Sequence, residues 1–238
     1  MAKSSVSASR VTSVATAIRE GIFQGTFPPG ASLRELTLAR DLKVSQATVR
    51  EALQRLEHAG LVTRKANVGT TVTRLTPKDV RERIGLRAAL EIAAAEAAAA
   101  RMTEEDFVEL NRRLSVLGQA IAEDRYYEAA QADLAFHRYI WECSGNDMLC
   151  RVLELVAVPL FAFISILRSQ GLQQLTAVVE AHSPLVEALR SGDRERIRAA
   201  FSVGATSSYE AFTGDGGNLA QMYGYLETVG QKHESPAL

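Results

Sequence analysis

Cysteine and aromatic residues are scarce in this sequence. Its 238 residues include only two cysteines and one tryptophan, and Phe, Trp and Tyr together make up 6% of it. Cys143 and Cys150 form no CxxC pair and stand among apolar residues of helical pattern. This argues against the disulfide framework of a small secreted domain. We therefore expect buried thiols in a reducing compartment.

Long apolar runs, targeting signals and common enzyme motifs are also missing. No apolar run approaches the length that a bilayer-spanning helix needs, and the N-terminal MAKSSVSASR lacks the apolar core of a signal peptide. No P-loop, Rossmann fingerprint or nucleophile elbow occurs in the sequence. With 47% hydrophobic and 23% charged residues, the composition is that of a soluble globular protein. We expect it in the cytoplasm, without a membrane partner.

Charge is distributed unevenly along the chain. Residues 1–77 carry 11 Lys and Arg against 5 Asp and Glu, a formal charge of +6, whereas residues 78–238 carry 16 against 23, a formal charge of −7. A small basic module joined to a larger acidic one suggests a polyanion partner for the first part of the chain. Charge alone leaves this interpretation about as probable as a chance distribution.

Three short helices are predicted at the start of the chain. Apolar residues at helical spacing run from Val11 to Ile22 and end at the Gly/Pro-rich GTFPPG. Ser32 followed by Glu35 has the spacing of a capping box and predicts a second helix over SLRELTLARDL. Lys43-Val44 then makes a turn short enough for helix-turn-helix geometry, and Ser45 can cap the third helix.

A β-hairpin is predicted after the third helix. LVTRKANVGTTVTRL alternates and is rich in Val and Thr around an Asn-Val-Gly turn. Three helices followed by a hairpin make a winged helix-turn-helix, which we assign to residues 1–76. In such a domain the third helix enters the major groove of DNA with its N-terminal residues towards the base edges.

The polar face of the third helix is therefore the candidate DNA-reading surface. Gln can pair bidentately with adenine and Arg with guanine, while hydroxyl groups suit phosphates or either base. The alternative is that these side chains are the solvated surface of a small helical bundle. The predicted DNA contacts on the helix are Ser45, Gln46, Thr48 and Arg50, flanked by Arg34, Lys65 and Gly69.

The rest of the chain predicts an antiparallel helical bundle over residues 77–213. An Ala-rich helix follows Pro77, Thr103 with Asp106 begins the next, and further helices are expected at about 125–144, 147–168, 171–191 and 193–213. Residues 214–238 form a tail with one short amphipathic piece. The predicted fold class is mainly α, a winged helix-turn-helix followed by an all-helical antiparallel bundle.

One group of residues in the bundle has metal-ligand chemistry. ADLAFHRYIW places Asp133 and His137 four residues apart, on one helix face, and His182 lies on a later helix. A carboxylate and two imidazoles can bind a divalent ion such as Zn, Ni, Fe or Mn. The alternatives are a buried ion pair or a core histidine. The same ligand set occurs in non-haem iron oxygenases, so a metal-dependent enzyme is a second hypothesis.

Both halves of the chain resemble one family of bacterial transcription regulators. Residues 11–75 resemble the N-terminal domain of the GntR family. The matching stretches are IREGIFQGTFPPGASLRELTLARDLKVSQATVREALQRLEHAGLV and the wing GTTV. Residues 78–213 resemble the FCD ligand-binding domain of its FadR subfamily. The matching stretches are RAALEIAAAEAAA, DLAFHRYIWECSGN and EAHSPLVEALRSGD. The resemblance implies a regulator, not an enzyme, that binds operator DNA and responds to a small organic effector. We expect a homodimer, since two wings on a two-fold axis read a palindromic site. Gln46 departs from the family, which usually has Arg there.

The resemblance also implies a binding site in the bundle. Metal-binding members use the Asp and His of one helix, a His in a later one and a fourth His that falls on Gly204 here. Three ligands of four remain, so water or an effector carboxylate can complete the site. Arg87 is a candidate for pairing with that carboxylate or with Glu91. Further candidates for the effector site are Arg138, Trp141, Asn146 and Arg168. A metal-free acyl-chain sensor is a third hypothesis.

Overall fold

The computed structural model describes the backbone of residues 2–65, 69–169 and 176–207. Within these it describes the side chains of residues 9–65, 69–166 and 180–205. The chain divides after Leu75 into two compact units. The predicted Asn-Val turn of the hairpin and the tail at 214–238 lie outside the described residues. The fold class is as predicted, a small helical domain with a two-stranded sheet and a helical bundle.

The first unit has the element order of a winged helix-turn-helix. Its strands pair antiparallel with Val62 opposite Val72 and Lys65 opposite Gly69. The turn before the third helix has Lys43 in the left-handed region, with φ of 53°. The elements are α1 (Ala2–Phe23), α2 (Glu35–Asp41), α3 (Gln46–His58), β1 (Val62–Lys65) and β2 (Gly69–Val72).

The predicted capping box at Ser32 is wrong. Helix α2 begins at Glu35, and its N-cap residue Arg34 makes no side-chain capping hydrogen bond. Ser32 instead forms a β-bridge with Thr71, and the N–H of the next residue, Leu33, donates to Thr70 O at 2.8 Å. The segment before α2 is thus extended against the wing, which takes Ser32 out of reach of the helix start.

Helix α3 begins and packs as predicted. Ser45 Oγ accepts a hydrogen bond from the backbone N–H of Thr48 at 3.1 Å, which satisfies one free donor of the first turn. One face of the helix is buried in the domain, and it consists of Val49, Ala52, Leu53 and Leu56. This packing fixes which side of α3 remains on the surface.

The second unit contains six helices in its described part. Two of them begin with complete capping boxes, Thr76 with Asp79 and Thr103 with Asp106. The helices are α4 (Pro77–Ala99), α5 (Glu104–Ala122), α6 (Tyr126–Cys143), α7 (Asp147–Ser169), α8 (Thr176–Ser191) and α9 (Arg194–Ser207). Residues 171–175 and 208–213, which we predicted as helical, lie outside the described residues.

Helix α7 corrects the expectation about apolar runs. Residues Asp147–Ile166 are long and apolar enough to cross a membrane, but 67% of this stretch is buried inside the bundle. Pro159 lies within the helix and leaves the carbonyl of Leu155 without its helical donor. Arg83 of α4 donates to that carbonyl at 2.8 Å. Helix α7 is therefore a core helix. The hydrogen bond from Arg83 connects it to α4, one helical turn before Arg87.

Candidate functional site

The first candidate site is the exposed face at the start of α3. Ser45, Gln46 and Arg50 are exposed there, and Thr48 is half-buried. The hydroxyls of Ser45 and Thr48 lie 2.8 Å apart and bond to each other, so they also fix the helix start. The structure brings these four predicted residues together on one surface.

Glu35 is the residue of this surface that sequence reasoning misassigned. Its carboxylate accepts hydrogen bonds from Gln46 Nε2 at 3.0 Å and from Arg50 Nη2 at 2.8 Å. It also accepts from Arg64 Nη2 of strand β1 at 3.2 Å. The hydrogen bonds from Arg50 lower the pKa of Glu35 most, and burial opposes them. The available signal was weak, because Glu35 is one of five acidic residues in a module with a net positive charge.

The flanking residues lie on neighbouring elements of the same unit. Arg34 is exposed at the N-cap of α2. Lys65 and Gly69 are exposed and face each other across the hairpin, at the ends of the strands next to the turn. Gly69 has φ of +96°, a left-handed conformation that favours glycine over residues with a Cβ atom. Their contacts with DNA remain predictions.

The second candidate site is a buried polar cluster in the bundle. Asp133 and His137 of α6 meet His182 of α8, and all three are buried, with exposed fractions of 3–6%. His182 Nε2 lies 2.9 Å from Asp133 Oδ1, and His137 Nε2 lies 3.5 Å from the same oxygen. Arg87 and Glu91 of α4 complete the cluster. The sequence predicted that these three side chains and Arg87 belong to one site, and the packing of α4, α6 and α8 brings them into contact.

The neighbours of His137 define its tautomer. Arg87 Nη2, which can only donate, lies 3.2 Å from Nε2 of His137, so Nε2 must accept. The proton then sits on Nδ1, which is 3.1 Å from Glu91 Oε1, although this contact is poorly aligned for a hydrogen bond. Burial lowers the pKa of His137 despite the nearby carboxylates, which favours the neutral ring. A neutral ring with an unprotonated Nε2 is a metal-ligand form.

Arg87 and Glu91 form the salt bridge expected at i,i+4. Arg87 Nε lies 3.2 Å from Glu91 Oε1, and the guanidinium carbon is 4.6 Å from the centre of the Phe161 ring. Burial raises the pKa of Glu91, but Arg87 and His137 outweigh it and lower the pKa to about 2. Trp141 Nε1 donates to Glu91 Oε1 at 3.2 Å. Among the described residues, Glu91 Oε2 has no hydrogen-bond partner.

The donor set of the cluster fits a divalent ion. One ligand atom each from Asp133, His137 and His182 lies within 4.8 Å of the others. Tetrahedral zinc with bonds of about 2.0–2.1 Å holds its donors about 3.3 Å apart, close to the two observed contacts with Asp133 Oδ1. An ion would compete with Arg87 for the electron pair of His137 Nε2. A Cβ atom on Gly204 would lie 3.2 Å from Leu185 Cδ2, so position 204 faces α8, where His182 lies one turn before Leu185.

Two other predicted effector residues have different partners. Arg138 forms a bidentate ion pair with Glu154. Asn146 Oδ1 accepts from the backbone N–H of Leu149 at 3.0 Å, at the start of α7. The side chain of Arg168 lies outside the described residues. The structure therefore brings together Arg87, Asp133, His137 and His182, whereas the hydrogen bonds described for Arg138 and Asn146 are with other groups.

Comparisons with known proteins identify both units. Residues 10–72 match the family model described as bacterial regulatory proteins, gntR family, and residues 82–203 match the FCD domain. The probable D-xylose utilization operon transcriptional repressor of Paenarthrobacter nicotinovorans is 34% identical over 77% of this chain and 82% of its own length. The regulator YdhC of Bacillus subtilis is 32% identical over 75% of this chain and 80% of its own length.

Solved structures show the same fold. A GntR transcriptional regulator from Rhodococcus sp. RHA1 matches with a TM-score of 0.67 and 26% identity over 91% of this chain and 98% of its own. McbR/YncC of E. coli matches with a TM-score of 0.75 and 24% identity over 90% of this chain and 98% of its own. The relatives are regulators, which favours a regulator over the metal-dependent enzyme.

Proposed function

Because the chain belongs to the gntR family of bacterial regulatory proteins, we propose that α3 reads its operator and that the buried cluster of the FCD domain binds the effector. Arg50 pairs with guanine and Gln46 with adenine, while Ser45 and Thr48 meet phosphates or base edges. Arg34, Lys65 and Gly69 contact the DNA backbone beside α3. The formal charge of +6 on residues 1–77 supports binding to a polyanion.

The effector proposal rests on one observation, the charged cluster inside an apolar bundle. Arg87 is 3% exposed and Glu91 1% exposed, and burying such groups is costly unless they are paired. A small organic acid would offer Arg87 a second carboxylate, which a guanidinium binds bidentately. The imidazoles of His137 and His182 would then bind the effector directly or through a metal ion.

We also propose that the protein acts as a cytoplasmic homodimer. Met148, Val152 and Leu155 of α7 are exposed by 37–61% at i, i+4 and i+7, which makes one apolar stripe on the bundle. An exposed apolar stripe of this kind supports self-association. Two winged domains related by a two-fold axis read a palindromic site, and their linkage multiplies a modest half-site affinity.

The proposed function is tested by operator binding in the presence of small organic acids. The promoter beside the protein's own gene is the first target for a gel shift, followed by selection from random duplexes. An acid that changes the affinity of wild type should have no effect on an Asp133→Ala variant. If no acid changes operator affinity, the effector assignment fails while DNA binding stands.

Gln46→Arg is expected to change the enriched operator sequence or to tighten binding. An arginine at this position can read guanine, where the glutamine suits adenine. Selection from random duplexes with both proteins measures the preference. Gln54→Arg is the matched control, because Gln54 is exposed two turns further along α3 and the substitution adds the same charge. If Gln46→Arg enriches the wild-type sequence with unchanged affinity, residue 46 does not face the DNA.

Restoring a fourth ligand is expected to strengthen metal binding. Gly204→His adds an imidazole on the side of α9 that faces α8. Zn or Ni at about 100 times the dissociation constant would add about 2.7 kcal/mol to the free energy of unfolding, or roughly 5–10 °C to the melting temperature. Melting curves with added metal and with EDTA measure the effect.

Gly204→Ala is the control for that experiment. Alanine shares the close contact with Leu185 and the gain of about 1 kcal/mol in helix propensity, but it cannot ligate a metal. The metal proposal is wrong if the His variant gains no more than the Ala variant and EDTA changes neither. His137 and His182 would then be hydrogen-bonding groups for an organic effector.

A further inference from the structure

One carboxylate on the candidate DNA surface binds side chains from three elements. Glu35 is the first residue of α2, and its side chain is only 18% exposed. Its partners are Gln46 and Arg50 of α3 and Arg64 of β1. Two of the three, Gln46 and Arg50, are side chains that we propose to read bases.

The way Glu35 holds Arg50 leaves part of the guanidinium available. Arg50 donates to the carboxylate from Nε at 3.1 Å and from Nη2 at 2.8 Å. A guanidinium has five N–H donors, so three remain, two on Nη1 and one on Nη2. These three point away from Glu35 because the group is planar. They are enough for a bidentate contact with O6 and N7 of a guanine.

We propose that Glu35 is a positioning residue for sequence readout, which keeps Arg50 and Gln46 in the conformations that meet base edges. This inference rests on the proposal that α3 reads the operator. An unrestrained arginine at the surface loses side-chain entropy when it binds a base, and a phosphate can capture it instead. Glu35 therefore raises the affinity for the operator relative to other DNA.

The charge of Glu35 acts in the same direction. Its carboxylate is negative at neutral pH, and hydrogen bonds with Arg50 lower its pKa further. A negative group near the phosphates weakens binding to any duplex. Specificity is a difference between affinities, so an element that disfavours the wrong DNA contributes to it as much as a favourable contact does. The negative charge is balanced only when Arg50 and Arg64 stay bound to it.

A purely structural role makes a different prediction. In that role Glu35 would only join α2, α3 and the wing, and its ion pairs would contribute modestly to stability. In that case substitutions would change the melting temperature and would weaken binding to all duplexes alike. The ratio of affinities for operator and unrelated DNA separates the two roles.

The experiment uses the full-length protein and two duplexes, the sequence that wild type enriches from a random library and a scrambled version of it. Fluorescence anisotropy at fixed salt gives both affinities for wild type, Glu35→Gln and Glu35→Asp. Glu35→Gln removes the charge at constant size, and Glu35→Asp keeps the charge but draws the carboxylate back from Arg50. Asp41→Asn is the matched control, because it removes one charge from an exposed residue of the same helix.

We expect the affinity ratio to fall by roughly 5- to 100-fold in both Glu35 variants, the amount that one well-placed bidentate base contact contributes. Scrambled DNA should bind more tightly to Glu35→Gln and about equally to Glu35→Asp. Asp41→Asn should leave the ratio unchanged. Glu35→Gln should also be made in a protein that already carries Arg50→Ala. There the fall in the logarithm of the affinity ratio should be less than half of the fall that Glu35→Gln causes in wild type.

Two results would overturn the inference. One is a ratio within twofold of wild type for both Glu35 variants, whatever happens to their melting temperatures. The other is a fall of equal size with and without Arg50, since Glu35 would then not act through it. If wild type enriches no sequence at all, the proposal that α3 reads an operator fails first, and that outcome is distinct from both.

Discussion

Arg50→Ala is expected to weaken sequence-specific operator binding by roughly 100-fold in affinity, if both half-sites of a dimer lose one bidentate guanine contact. The protein should remain folded, because Arg50 is exposed and its described contacts are with Glu35 at the surface. Binding to unrelated DNA should weaken only slightly. Anisotropy titrations at one salt concentration measure both affinities.

Arg55→Ala is the control for the loss of positive charge. Arg55 is exposed on the same helix but lies at its C-terminal end, where it contacts Glu51 and Thr12. It should reduce binding to operator and unrelated DNA equally. If Arg50→Ala instead binds the operator like wild type, or loses no more than Arg55→Ala, the face of α3 that we assign to DNA is wrong.

Arg87→Met is expected to cause the largest loss of stability. It leaves the carboxylate of Glu91 buried without its cationic partner, and breaking one side of a buried ion pair costs about 3–5 kcal/mol. The melting temperature should fall by roughly 10 °C. The response to organic acids should disappear with it. Thermal denaturation followed by circular dichroism measures the first effect, and operator titrations with the acid measure the second.

Two further variants make that result specific. Adding Glu91→Gln to Arg87→Met removes the unpaired charge, while the amide oxygen can still accept from Trp141, so part of the stability should return. Arg112→Met breaks an exposed pair with Glu109 and should leave the melting temperature nearly unchanged. An Arg87→Met protein that melts like wild type would contradict the buried ion pair.

Helix starts show where local signals were sufficient and where they failed. The capping signals at Thr76 and Thr103 operate in the structure, because each hydroxyl accepts from the backbone N–H three residues on and the helix follows directly. Ser32 and Glu35 have similar spacing, but the extended backbone of Ser32 pairs with Thr71 and Glu35 binds Arg50. A cap contributes about 1 kcal/mol, which sheet pairing and a charged network can outweigh.

Helix α7 shows the same limit on a larger scale. Its length and composition suit a membrane span, and the surrounding helices bury most of it in the bundle instead. Sequence hydrophobicity indicates that a segment leaves water, but it does not say whether lipid or protein covers it. The neighbouring helices, which cover most of α7, decide that question.

The sequence by itself determined the order of the elements, the exposed polar start of α3 and the shared face of Asp133 and His137. These follow from helical periodicity, turn residues and capping, which act over a few residues. Only the tertiary structure decided the partners of the functional groups. Glu35 reaches Gln46, Arg50 and Arg64 across 11, 15 and 29 residues, and Arg87 and Asp133 reach their histidines across 50 and 49. Such contacts depend on how whole helices pack, and no local pattern in the chain encodes a crossing angle or a distance between side chains far apart in sequence.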